Sequence, residues 1–186
     1  MSKLIEDKLI DNIGKERYLH SLRVLETATS LAKEYKMDVN KAQTAAVLHD
    51  CAKFTDRTKL LKMASKFDII IDNVMNHNIE LIHGPLGAKI AELEYGVEDI
   101  EVINAIKYHT TGRENMTMLD KIIYISDYIE PRRNFKGVER VRELAFIDID
   151  SSVLLAIEDT IRFLIEKGRV IHLDTINARN DLVIWL

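Results

Sequence analysis

Apolar residues recur three and four positions apart along most of the chain, as in Ile5, Leu9, Ile13 and then Leu22, Leu25, Ala28, Leu31, Ala32 and Tyr35. That spacing gathers them on one stripe of an α-helix. The two-residue alternation of a half-buried strand is nearly absent. Helix ends are marked as well: Asp38 is placed to cap, Gly84-Pro85 opens a helix with proline at its first position, Gly96 closes it, and Asp150-Ser151 and Gly168 bracket another. The pattern predicts helices over 3–13, 15–35, 39–53, 57–66, 85–95, 98–109, 117–130, 138–146 and 151–167. Ile69-Ile70-Ile71 reads as a short strand or a buried turn. Residues 169–186 carry β-branched side chains without a clear period and read as an extended tail packed on the bundle. The expected fold is all-α, a helical bundle.

Composition narrows this picture. With 186 residues, 47% hydrophobic and 30% charged, the chain can build one real core. Seven Gly, two Pro and no low-complexity stretch leave nothing to mark an internal boundary, so 1–186 reads as a single domain with a core of about 15–130 and C-terminal helices and tail over 131–186. A net charge of −4 argues against a broad nucleic-acid footprint. No apolar run exceeds five residues, which argues against export and membrane spanning. The single Cys51 cannot form an internal disulfide, which fits a reducing cytoplasm.

The candidate chemistry centres on His49-Asp50, set in the apolar stretch from Lys41 to Phe54. Adjacent residues on a helix project about 100° apart, so both can lean toward one cation, with further ligands arriving from other helices. The pair also reads as a core histidine beside a capping aspartate. His20 shares a helix face with Arg17 and borders an apolar stripe; alone it reads as structural. Asp127 lies among Ile122, Ile123, Ile125 and Ile129, where a carboxylate needs a counter-charge from a metal or from Arg132 or Arg133. Asp120 competes with it but stands near a helix start, where an acid is expected for dipole reasons. His83 precedes Gly84-Pro85 at a helix N-terminus, and His109 runs into Thr110-Thr111-Gly112-Arg113, a donor-rich turn. His77 sits in a polar run and looks solvated. Cys51, in an Ala/Leu/Val context, reads as core beside the site. Nucleophile elbow, Walker loop, dinucleotide fingerprint and CxxC motifs are all missing.

The order His20, His49-Asp50, Asp127 on an all-helical chain resembles the HD-domain metal-dependent phosphohydrolase superfamily, whose signature is H…HD…D. Arg17-YLHS-Ser21, His49-DCAK-Lys53, His83-GPLGA-Ala88, His109-TTG-Gly112, Ile125-SDYIEPRR-Arg133 and Val170-IHLDTINARN-Asn180 look like the YqeK-type branch. Members of that branch split diadenosine tetraphosphate into two ADP at an iron-containing site. The resemblance implies that His20, His49, Asp50 and Asp127 bind the metal. It further implies that Lys53, His83 and His109 are catalytic and, with Arg133, face the phosphates, and that Thr110 and the segment Val170, Ile171, His172, Leu173, Asp174, Thr175 contact substrate.

The mixed nitrogen and oxygen donors suit iron, manganese, cobalt or zinc; iron comes from the resemblance alone. One ion is expected, with His83 and His109 as ligands of a second in the alternative reading. Lys53 is expected to reach over the His49-Asp50 helix edge, and a guanidinium after Pro131 to grip phosphate in two-toothed fashion. The expected substrate is a dinucleoside polyphosphate and the product ADP, with a homodimer possible. Two further readings stay open: an HD phosphohydrolase of nucleoside monophosphates, triphosphates or guanosine tetraphosphate, and a non-catalytic module that senses nucleotide or metal.

Overall fold

The structure, a computed structural model, describes residues 3–186 and the side chains from Ile5 onward. It is built of α1 (Lys3–Ile13), α2 (Lys15–Glu34), α3 (Val39–Leu48), α4 (Arg57–Lys66), α5 (Asn73–His77), a 3-10 turn (Ile79–Ile82), α6 (His83–Tyr95), α7 (Ile100–Tyr108), α8 (Met118–Ile129), α9 (Val138–Ala145), α10 (Ile149–Glu166) and α11 (Leu173–Trp185). No strand occurs among the described residues, so the all-α expectation holds.

The helices start where short polar side chains answer free backbone N–H groups. Asp38, Asp56, Asp99 and Asp148 each accept from N–H groups of the first turn. Thr117 and Asp120 form a reciprocal capping box at the head of α8. This accounts for the burial of Asp120, whose carboxylate also receives Arg113 Nε at 2.9 Å.

α8 is the central rod. Leu119, Ile122, Ile123, Ile125 and Ile129 are buried around its circumference, and it packs against α2, α3, α7, α9 and α10. α2 lies along α3 and α6 along α7. The α6–α7 contact is close because Gly84 has no side chain: a Cβ there would stand 2.6 Å from the Lys107 carbonyl oxygen.

Several expectations are corrected. The helix expected over 39–53 ends at Leu48, and His49 to Ala52 form tight turns closed by Cys51 N–H to Leu48 O at 3.0 Å and Lys53 N–H to Asp50 O at 2.8 Å. His49 and Asp50 therefore diverge by turn geometry rather than around a helix. The helix expected from 85 begins at His83, with Gly84 and Pro85 inside its first turn, where a missing N–H costs little. The helix expected from 151 begins at Ile149, since Asp148 is the cap. Ile69 to Ile71 are irregular, and the polar run after them forms the short α5. The tail expected to be extended is helical over Leu173–Trp185. There His172 accepts from Asp174 N–H, and Thr175, Ala178 and Leu182 bury one face of α11. Leu173, Val183, Ile184 and Trp185 lie exposed on the rest of the helix, and that apolar surface erased the contrast a period needs.

Gly84→Ala is expected to destabilise the fold by about 1–3 kcal/mol, the range for an overpacked contact. Thermal denaturation of the variant beside wild type checks this.

Candidate metal centre

Five chain segments bring their side chains to one point. α2 supplies His20, the turn after α3 supplies His49 and Asp50, the start of α6 supplies His83, the residue after α7 is His109, and α8 supplies Asp127. His20, His49, Asp50, His83 and His109 are all buried, Asp50 with 1% of its surface exposed.

Asp50 is the hub. Its Oδ2 lies 3.3 Å from His49 Nε2 and 3.8 Å from His20 Nε2, while Oδ1 lies 3.2 Å from His83 Nε2 and 3.7 Å from His109 Nε2. Asp127 Oδ1 stands 3.0 Å from His20 Nε2. Burial disfavours the charged form of Asp50, yet the imidazoles of His49, His109 and His83 around it hold its carboxyl well below the usual carboxylate range. Burial likewise opposes the charge on Asp127, and the His20 ring 3.0 Å away with the charges of His49 and Arg133 holds its carboxyl well below the usual carboxylate range.

The orientation of each ring is fixed from outside. His49 Nδ1 is 2.6 Å from Ala46 O, His109 Nδ1 is 2.8 Å from Ile106 O, and His83 Nδ1 bonds Glu80 O. A carbonyl only accepts, so each Nδ1 carries a proton and each Nε2 is the nitrogen left to face the centre, where it can give a lone pair to a cation. His20 Nδ1 meets Glu130 Oε1 at 3.3 Å, with the same result. Three of these histidines stand directly after a helical segment and take the free carbonyl of its last turn.

Three of the inward atoms lack partners. His20 Nε2, His49 Nε2 and Asp50 Oδ1 are buried without a hydrogen bond. The Nε2 atoms of His83 and His109 are 3.0 Å apart, and burial pushes His109 down to about 4, so that ring is neutral at pH 7. The Thr110 hydroxyl, 3.3 and 3.1 Å from the two nitrogens, has one proton to give and leaves the other lone pair open. Converging nitrogen lone pairs and carboxylate oxygens call for a cation, and the mixed donor set fits a first-row transition metal. Among the described residues three overlapping sets qualify, each with candidate ligand atoms within 4.8 Å of one another: His20-His49-Asp50, His49-His109-Asp127 and Asp50-His83-His109.

The rim is cationic. Lys53 Nζ lies 3.8 Å from Asp50 Oδ1, Arg17 Nη1 2.9 Å from Asp50 Oδ2, and Arg133 Nη2 2.7 Å from Asp127 Oδ1. Arg132 points elsewhere and is exposed. In the segment 170–175, His172 Nε2 bonds Asp72 Oδ2 at 2.8 Å, and Val170 and Leu173 are exposed. His77 is exposed and bonds the Asn73 carbonyl, as its polar surroundings suggest. Cys51 is core, its thiol bonding Gly87 O and its pKa raised by burial.

Sequence reasoning missed Glu130. It is buried, and besides holding His20 its carboxylate accepts from Arg23 Nε at 2.7 Å and from Arg132 N–H at 2.9 Å. An acid after an apolar helix, immediately before Pro131, was the available signal.

Residues 17–132 match the HD domain family, more than half of the chain. The chain belongs to the HD-domain family. Over 93% of its length it is 42% identical to the symmetrical bis(5'-nucleosyl)-tetraphosphatase of Halalkalibacterium halodurans, covering 92% of that protein. It is 40% identical to the Bacillus subtilis protein of the same name, with 92% of this chain and 91% of that one covered. A crystal structure from Clostridium acetobutylicum, described as a predicted HD superfamily hydrolase involved in NAD metabolism, matches the whole of both chains at 41% identity and a TM-score of 0.93. The signature order of this HD-domain protein falls on the same residues that the fold gathers at Asp50.

Glu130→Ala is expected to weaken metal binding about 10- to 100-fold, the usual cost of losing an outer partner of a ligating histidine, while Glu130→Gln retains much of it. Asp120→Ala is expected to lower the melting temperature through loss of the capping box and leave metal content unchanged. Elemental analysis after dialysis against graded chelator, beside thermal melts, separates the two effects.

Proposed function

We propose that this HD-domain protein is a metal-dependent hydrolase that cuts diadenosine tetraphosphate symmetrically, giving two ADP. The observation that carries the proposal is the buried Asp50 carboxylate set between two pairs of inward-facing imidazoles and ringed by Lys53, Arg17 and Arg133. The names of the relatives at about 40% identity supply the substrate. His20, His49, Asp50 and Asp127 are assigned as metal ligands, with iron as the ion and manganese, cobalt or zinc as alternatives.

A divalent ion held there supplies Lewis acidity toward a phosphoryl oxygen and a water acidic enough to be a nucleophile at neutral pH. The protein's own groups do the rest. Lys53 and Arg133 place positive charge where the bridging phosphates must lie, and Thr110 offers a hydroxyl beside His109. His109 is a neutral ring, and its Nε2 and that of His83, 3.0 Å apart, converge where they can give lone pairs to a cation. With Asp50 Oδ1 facing both, this favours the two-ion alternative over the single ion expected from sequence. Val170, Ile171, His172, Leu173, Asp174 and Thr175 remain assigned to the nucleoside side on the resemblance alone. A cytoplasmic location and a homodimer complete the proposal, the latter with exposed Ile184 and Trp185 as the apolar surface it would cover. No helix among the described residues is long and apolar enough to cross a membrane.

The proposal is tested by running diadenosine tetraphosphate to completion and resolving products by ion exchange. ADP alone is the expected outcome; equal AMP and ATP rejects symmetrical cleavage, and no turnover with any of iron, manganese, cobalt or zinc supports the sensing module. Lys53→Ala and Arg133→Ala are each expected to slow turnover about 10- to 100-fold, the equivalent of one charged hydrogen bond, at nearly unchanged melting temperature. Steady-state kinetics with parallel melts reads this directly.

A further inference from the structure

One side-chain pair ties the C-terminal helix to the segment that leads into His83. His172 Nε2 lies 2.8 Å from Asp72 Oδ2, across 100 positions of sequence, and each residue is also the N-cap of its own helix. Asp72 Oδ1 accepts from Met75 N–H at 2.8 Å and starts α5, while His172 Nδ1 accepts from Asp174 N–H at 3.2 Å and starts α11. A backbone N–H only donates, so the ring proton sits on Nε2 and goes to Asp72. The Asp174 carboxylate stands 3.5 Å from Nδ1, and a protonated ring paired with it still donates from Nε2 to Asp72. The bond therefore exists in both charge states of the ring.

The segment held by this bond has little else to fix it. α5 buries none of its residues, Ile71, Met75 and Ile79 are only partly covered by the core, and Glu80 reaches Arg57 at 3.7 Å between exposed side chains. Yet hydrogen bonding runs unbroken from Asp72 to the centre. Asn76 N–H meets Asp72 O at 3.0 Å, Asn78 N–H meets Val74 O at 2.8 Å, and Leu81 N–H meets Asn78 O at 3.0 Å. The Glu80 carbonyl then takes His83 Nδ1, and His83 Nε2 lies 3.2 Å from Asp50 Oδ1. A shift at Asp72 is passed along these short helical turns to the His83 ring.

We infer that Asp72 and His172 are positioning residues for the metal centre, their hydrogen bond holding residues 72–82 where the Glu80 carbonyl presents His83 Nε2 to an ion shared with His109. The inference rests on the metal-centre reading of the Asp50 cluster. It gives His172 a duty that needs no nucleotide. The two side chains bond each other and their own helix ends, so their effect is on where the ring sits and not on coordination itself.

Capping and tethering can be separated by substitution. In His172→Asn the side-chain oxygen takes the place of Nδ1 and still caps α11, but nothing reaches Asp72. In His172→Gln the amide nitrogen takes the place of Nε2 and the cap is given up. Asp72→Asn retains one acceptor oxygen for α5 and loses the one that faces His172. The full chain, without nucleotide, is followed by hydrogen–deuterium exchange, by metal content after dialysis against graded chelator, and by thermal melts. His172→Asn and Asp72→Asn are each expected to speed amide exchange over 73–82 and to release metal at about 3- to 10-fold lower chelator, the equivalent of one hydrogen bond. Their melting temperatures stay near wild type, and the double variant is no worse than either. His172→Gln is expected to do the reverse, melting lower while exchange over 73–82 and metal retention stay near wild type. Wild-type metal retention in both Asn variants overturns the inference even if 73–82 exchanges faster, as does metal loss in His172→Gln equal to that in His172→Asn. A wild type that holds metal but cuts no diadenosine tetraphosphate rejects the proposed activity alone, whereas a wild type that holds no metal rejects both.

Discussion

Asp50 places a full negative charge where almost none of the residue meets solvent, and the rest of the site answers that charge. An isolated buried carboxylate would be prohibitively costly. Here it is ionised because four imidazoles, Arg17 and Lys53 surround it. The same arrangement explains the topology of the centre. His49 and His109 follow the C-terminal ends of α3 and α7, where the helix dipoles are negative, and His83 follows the 3-10 turn. Helix ends, two carboxylates and inward lone pairs all favour positive charge at one spot. A neutral core would use none of these devices.

One device recurs. Each of the three histidines that follow a helical segment donates Nδ1–H to the carbonyl three residues back, which satisfies a helix end and fixes the ring at once. His20, inside α2, has no such carbonyl and needs Glu130 instead. Glu130 thus does for one histidine what secondary structure does for the others, and Arg23 and the Arg132 N–H in turn hold Glu130. Stability and function are therefore coupled most tightly at the α2–α8 contact.

Much of this was legible in the sequence because its cause is local. The helical pattern marked α1, α2, α4 and α8, and the Asp38 cap marked the start of α3. What was not legible depended on tertiary context. The turn that ends α3 at Leu48 has no glycine or proline to announce it; it is imposed where Asp50 must reach the centre. The helix α11 hid because its exposed side is as apolar as its buried one. His83 and His109 were read with anions in mind because their neighbours are donors, whereas the Glu80 and Ile106 carbonyls engage Nδ1 and turn Nε2 of each ring toward Asp50. No one-dimensional reading supplies a tautomer. Glu130 was visible only as one more acid, since its partner His20 is 110 positions away in sequence.

The account's central claim is that the unpartnered atoms around Asp50 exist to hold a cation. Anomalous diffraction at the absorption edges of iron, manganese, cobalt and zinc, on crystals of protein purified without chelator, addresses it most directly. The account predicts an anomalous peak within bonding distance, about 2.0–2.2 Å, of His20 Nε2, His49 Nε2 and the Asp50 and Asp127 carboxylates, with a second beside His83 and His109 if the paired donor sets are both filled. A well-ordered cluster that shows only water between these side chains at every edge, in protein that still hydrolyses diadenosine tetraphosphate, would contradict it.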